Sequence, residues 1–129
     1  MGFNKTFKHV DGSLLTTLII SGRKSTLKDI VLIFNTINHN VIQLEEVNEG
    51  LSRLESEGFV GCKNGKIFTT QKTKNFHKKN KKKLELCIDM NQRYSNILKT
   101  MVLEKETQYK QYFSMDEYKK VVNDLFWGI

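Results

Sequence analysis

Nine lysines and no acid fall between residues 61 and 83. Lys63 and Lys66 flank an Asn64-Gly65 pair, and Lys72, Lys74, Lys78, Lys79, Lys81, Lys82 and Lys83 follow. Ammonium groups at that density hold phosphates by charge alone, with affinity that falls as salt rises and with little regard for base sequence. The plain alternative is a lysine surface that keeps the protein in solution. Just upstream the sign reverses. Over residues 43–60, Arg53 stands against Glu45, Glu46, Glu49, Glu55 and Glu57. A carboxylate can accept from a cytosine amino group. Beside phosphates it meets like charge, at about 1 kcal/mol per close pair in watery surroundings. On this stretch Arg53, with Ser52 next to it, is the group that could reach a base edge.

Other chemistry is sparse. His9, His39 and His77 are scattered, and Cys62 and Cys87 show no C-x-x-C or Cys/His spacing, so no metal site is expected. His39 falls in a break between two apolar patterns, without a carboxylate or nucleophile nearby, and reads as a turn residue. No G-x-S-x-G, glycine-rich phosphate loop or paired-carboxylate motif is present, so neither an enzyme nor a cofactor is expected. Two thiols without a framework suit a reduced cytoplasm. MGFNKTFKHV lacks a hydrophobic signal core. It matches the loose M-G-x-x-x-[ST] acylation pattern, against which the bulky Phe3 argues. No apolar run nears the roughly 20 residues that span a bilayer, so a cytoplasmic protein with no membrane partner is expected.

The elements that must position these groups can be read from spacing. A chain of 129 residues is one domain by size, and the absence of proline favours helices. Residues 1–10 read as a loose or docked arm. Leu14, Leu15, Leu18 and Ile19 recur at helical spacing before Gly22. Ser25 is the expected N-cap of a second helix, with Asp29 in its first turn. Leu27, Ile30, Val31, Phe34 and Ile37 share one face of it and Ile33 widens that face, so this is the expected buried central helix. After Asn38-His39-Asn40, a third helix from about Gln43 to Glu57 carries Leu44, Val47, Leu51 and Leu54 as its inward stripe. Its expected outward face is Glu45, Glu46, Glu49, Ser52, Arg53 and Ser56. Gly58 suits the left-handed position after a helix. Cys62-Lys63 and Lys66 to Thr69 then form a hairpin about Asn64-Gly65. Phe76, Leu84, Cys87, Ile88, Tyr94, Leu98, Met101 and Val102, close to heptad spacing, predict one long helix starting between Asn75 and Lys82. Ser114 and Glu117 make a capping box for a last helix with Tyr118, Val121, Val122, Leu125 and Phe126 as its apolar face.

The expected fold is therefore mainly α with a small β-hairpin: a winged helix-turn-helix over residues 1–74, followed by a long helix and a C-terminal helix over 75–129 in the same compact unit. The run LKDIVLIFNTINHNVIQLEEVNEGLSRLESEGFVGCKNGKIFTT resembles winged-helix domains of bacterial regulators. It is similar to uncharacterised bacterial winged-helix proteins with an I-N-H turn (here Ile37-Asn38-His39), then E-E-L (Glu45-Glu46-Val47), then L-x-x-L-x-x-x-G-[LF]-[IV] (Leu51 to Val60). The likeness covers about residues 12–72. It departs where such wings end in T-x-x-G, since Gln71, Lys72 and Thr73 follow Thr70. The helix after the wing is similar to the dimerising C-terminal helix of PadR-like repressors.

The resemblance implies a fold and, for regulators of this shape, a homodimer; Tyr94, Ile97, Met101 and Val102 are the candidate dimer contacts. The functional expectation is a DNA-binding transcriptional regulator. It would contact double-stranded DNA through Lys63, Asn64, Lys66, Lys72, Lys74, Lys78 and Lys79, with Ser52 and Arg53 from the third helix. The alternative is a protein-interaction module that binds no DNA and uses Glu45, Glu46 and Glu49.

Overall fold

Asp11 to Leu18 are buried without a break, so the first helix, α1 (His9–Ser21), is enclosed on every side. The computed structural model describes residues 6–22, 24–104 and 106–127. Around α1 lie α2 (Leu27–Asn38), α3 (Leu44–Ser56) and α5 (Cys87–Lys99). The expectation that α2 is the central helix is thus corrected: Lys28, Leu32 and Thr36 on one side of it are exposed. Small polar residues explain the difference. Thr16 and Thr17 return their hydroxyls to the carbonyls of Gly12 and Ser13 at 2.9 and 2.8 Å, which lets them enter the core satisfied. Gly12 lets α5 come close: a Cβ there would lie 2.3 Å from the Ser95 Cα. The Ser95 hydroxyl donates to the His9 carbonyl at 3.0 Å across the same contact.

α2 is capped by Thr26 rather than Ser25. Thr26 Oγ1 accepts from the Asp29 amide at 3.2 Å while Asp29 Oδ2 accepts from the Thr26 amide at 3.0 Å, a reciprocal box. Ser25 is drawn elsewhere, exchanging backbone bonds of 2.7 and 2.9 Å with Ile67. That bridge adds a one-residue third edge to the antiparallel hairpin of β1 (Val60–Lys63) and β2 (Lys66–Thr69). Asn64 and Gly65 join the strands with φ of 53° and 73°, the left-handed pair that a two-residue type I′ turn needs.

The segment expected as one long helix is two, α4 (Gln71–Asn80) and α5. Continuing α4 would stack Lys78 on Lys82 and Lys79 on Lys83, like charges four apart on one helix. Asn80 instead turns its amide back to the Phe76 carbonyl at 2.8 Å, and the chain leaves through Lys81–Leu86. After α5, residues 106–113 run without regular structure across α3. The chain then enters α6 (Met115–Val122), opened by the Ser114–Glu117 box and prolonged by a π turn over Asn123–Trp127. The molecule is accordingly mainly helical with one hairpin, as its periodicities predict. The core joins Leu14, Leu18, Ile30, Phe34, Leu51, Leu54, Phe59, Ile67 and Leu98. Of the N-terminal arm, Phe7 is docked in this core and Thr6 bridges Val102; residues 1–5, including Gly2 and Phe3, lie outside the described residues.

Candidate nucleic-acid interface

The hairpin register sets Lys63 directly opposite Lys66, both exposed at the turn with Asn64. Like charges facing each other across a ladder repel; Glu117 and Asp124 line the same cleft as Lys66, without an ion pair to it among the described residues. α4 adds the remaining positive charge. Its inner side is fixed by Thr73, whose hydroxyl donates to the Phe59 carbonyl at 2.5 Å, and by Phe76, edge-on to Phe59 and Tyr94 with centroids 5.8 and 5.0 Å away. With that side held, helical spacing puts Lys72, Lys74, Lys78 and Lys79 on the outward side, and all four are exposed. Lys72 lies back over the Phe59 ring at 4.6 Å and donates to the Glu57 carbonyl. Among the described residues, none of Lys63, Lys66, Lys72, Lys74, Lys78 and Lys79 pairs with a carboxylate. Beneath α4, His77 meets the Tyr94 hydroxyl at 2.7 Å. Partial burial, with Lys81 and Arg93 nearby, holds the imidazole below its usual pKa, and burial pushes the Tyr94 phenol up.

α3 corrects the sequence expectation. Arg53 is not on an outward face: it is 2 % exposed, and its guanidinium holds the fully buried Asp11 carboxylate by two bonds of 2.6 and 3.0 Å. Ser52 is also buried, donating to the Asn48 carbonyl at 2.7 Å and accepting from the Lys110 amide at 2.9 Å. The cause is the crossing segment. Asn48 takes the amides of Tyr112 and Phe113 on its oxygen, at 3.0 and 3.2 Å, and donates to the Phe113 carbonyl at 3.1 Å. Glu55 accepts from the Tyr112 hydroxyl and pairs with Lys110 at 3.2 Å. Burial, with Glu55 behind it, pushes the Tyr112 phenol well above its usual value. Residues 110–113 therefore cover the Asn48–Ser52–Glu55 side of α3, while Arg53 is closed off by Asp11 of α1. Asn48, Lys110, Tyr112 and Phe113, which decide this, went unread in the sequence. The available signal was an Asn and a Ser four apart inside an otherwise well-formed helix, where both side chains compete with the backbone unless something else takes them.

The acidic trio separates. Glu45 is exposed, Glu46 accepts from the Gln43 amide at 3.0 Å as part of a helix cap, and Glu49 pairs with Lys8 at 3.8 Å. The expected dimer contacts separate too. Tyr94 is fully buried, and its aromatic neighbours lie within the same chain. Ile97 and Met101 line a groove with Phe59 and Phe76, rimmed by Lys72 and Lys79. Val102 is 70 % exposed on the strand-like contact with Thr6. His39 closes α2 in the left-handed conformation, φ 57°, its amide bonded to the Asn35 carbonyl at 2.7 Å. Cys62 is half-buried and Cys87 exposed, both free, and the described residues contain no cluster of three or more metal-ligating side chains. No family model, curated protein or solved structure matches this chain.

Proposed function

We propose that this chain is a winged-helix protein of regulatory role that binds double-stranded DNA through its phosphates, using the wing tip and the outer side of α4. The carrying observation is that Lys63, Lys66, Lys72, Lys74, Lys78 and Lys79 are exposed on two consecutive elements with no carboxylate partner among the described residues. The helix order, the hairpin after α3 and the Ser25–Ile67 bridge support the winged-helix reading. With residues 110–113 over Ser52 and Asp11 holding Arg53, neither side chain is offered to a base edge. Contacts are then electrostatic and tolerant of sequence. The protein-interaction alternative draws less support, because Glu46 and Glu49 are already engaged within the chain. Two free cysteines agree with a cytoplasmic location.

A labelled duplex titrated at low and at fourfold higher salt tests the reading. Six phosphate contacts predict a loss of roughly a thousandfold across that change. The pair Lys63→Glu and Lys66→Glu weakens binding to specific and random duplexes alike. Absence of binding at the lower salt sinks the proposal.

A further inference from the structure

Between α4 and α5 the chain makes a loop, Lys81-Lys82-Lys83-Leu84-Glu85-Leu86, that displays apolar side chains instead of hiding them. Leu84 is 94 % exposed and Leu86 67 %. Leu84 also sits at φ 62°, a left-handed conformation that a leucine rarely takes and that costs strain for no burial in return. The loop is nonetheless held. Glu85 is gripped by the Arg93 guanidinium, one bond at 2.8 Å and a second shorter, so the loop's acid is neutralised within the fold. Its three lysines are exposed; Glu85 also lies close to Lys82, and none of the three makes an ion pair among the described residues. Directly after Leu86, Cys87 and Ile88 line a groove of about 420 Å³ between α1, α2 and the start of α5, with Ile20, Leu32 and Ile33 on its other walls. No carboxylate lines that groove, and Lys28 stands one turn before Leu32 on the same side of α2.

We infer that this loop and the adjoining groove form a docking surface for an anionic lipid bilayer, with Leu84 and Leu86 entering the headgroup boundary and Lys81, Lys82 and Lys83 against the headgroups. Two observations select this occupant. A convex tip with protruding leucines suits insertion into a deformable apolar layer better than enclosure by a rigid partner. Charge selects the sign: a second copy brought to the same face would set its own lysines against these, whereas anionic headgroups neutralise them. Apolar insertion plus a basic cluster is the pair of signals that peripheral attachment needs. Adsorption of this kind requires no spanning helix, and no described helix is long and apolar enough to cross a membrane. The inference is independent of the DNA reading, since it rests on Leu84, Leu86 and Lys81 to Lys83 and not on the six lysines proposed to meet DNA.

Co-sedimentation with vesicles of phosphatidylcholine alone, and of phosphatidylcholine mixed with phosphatidylglycerol, tests it on the full chain. Binding is expected to the mixed vesicles only. The charge-neutral variant Leu84→Ser/Leu86→Ser, at two exposed sites, should abolish it while leaving the melting curve and duplex binding unchanged. Replacing Lys81, Lys82 and Lys83 by Gln should weaken it about fivefold per lysine, roughly a hundredfold together. No binding to mixed vesicles overturns the inference. So does binding that survives Leu84→Ser/Leu86→Ser, because plain adsorption of a basic protein would then account for it. A wild-type dimer in sedimentation that the same variant converts to monomer would assign the face to a second copy and overturn it as well.

Discussion

Arg53 shows how far a single residue can depart from its type. Arginine is seldom buried unless paired, and its partner Asp11 lies 42 positions away, so nothing local in LSRLESEG announces the pair. Inside the core the guanidinium and carboxylate satisfy each other by two bonds, and Asp11 Oδ2 also accepts from the Lys8 amide at 2.8 Å, fixing the first turn of α1. Removing one partner strands the other without water. Arg53→Ala should therefore lower the unfolding free energy by about 3–5 kcal/mol, read from a urea melt. Arg53→Met combined with Asp11→Leu should recover much of that loss, because two apolar groups leave no orphaned charge. A loss below about 1 kcal/mol for Arg53→Ala, the range of exposed pairs, would contradict the burial of this pair. Ser52 follows the same logic at smaller scale: its hydroxyl is spent within the fold rather than offered to a ligand.

Among the elements, the crossing segment at residues 110–113 has the largest effect on what α3 can do. It holds α3 by backbone amides on Asn48 and Ser52 and by the Tyr112 phenol on Glu55. Folding raises the phenol's pKa, so the folded state favours the neutral form. The associated stability is fully present below the ordinary tyrosine pKa near 10 and is lost as pH rises above it, once the unfolded chain ionises and the folded chain does not. Tyr112→Phe should thus be less stable than the parent at neutral pH. The gap between the two should narrow as pH climbs past about 10 in denaturant melts. A gap independent of pH would remove the phenol from the contact. Periodicity and turn chemistry made α2, α3, the Asn64-Gly65 hairpin and the Ser114 box legible from residues alone, because each is set by neighbours within four positions. The crossing segment was not legible. ETQYKQYF has neither period, and its bonds to α3 span 57 to 65 positions. The division of the expected long helix was missed for a different reason. Its apolar heptad spacing ran on while five lysines made the helix electrostatically costly, and the charge prevailed.

For the whole molecule, the exposure expected of the lysines is observed, whereas the facing expected of Ser52, Arg53 and Tyr94 is not. Lysines on a hairpin tip and on the outer side of a short helix face solvent in almost any packing. The outward side of α3 and the free side of α5, by contrast, were decided by which distant segment came to lie there. Tyr94 was assigned outward because α5 has apolar residues on more than one side; α1 and α4 use both. The same packing predicts that residues 1–74 do not form a folded unit by themselves. Without α5, the Gly12 side of α1 meets water, and Ser95, Leu98 and Tyr94 no longer close the core. A fragment ending at Lys74 should show no cooperative thermal transition; a sharp one would mean that α1 can be enclosed without α5.

The contact between α1 and α5 also sets a schedule for biosynthesis. The Ser95 hydroxyl and the His9 carbonyl are 86 positions apart. At ribosomal rates the first helix therefore waits roughly 4–15 s, after its own residues are polymerised, before Ser95 has been made. Throughout that interval an almost uniformly core-forming stretch, SLLTTLII, is presented to the cell on a nascent chain.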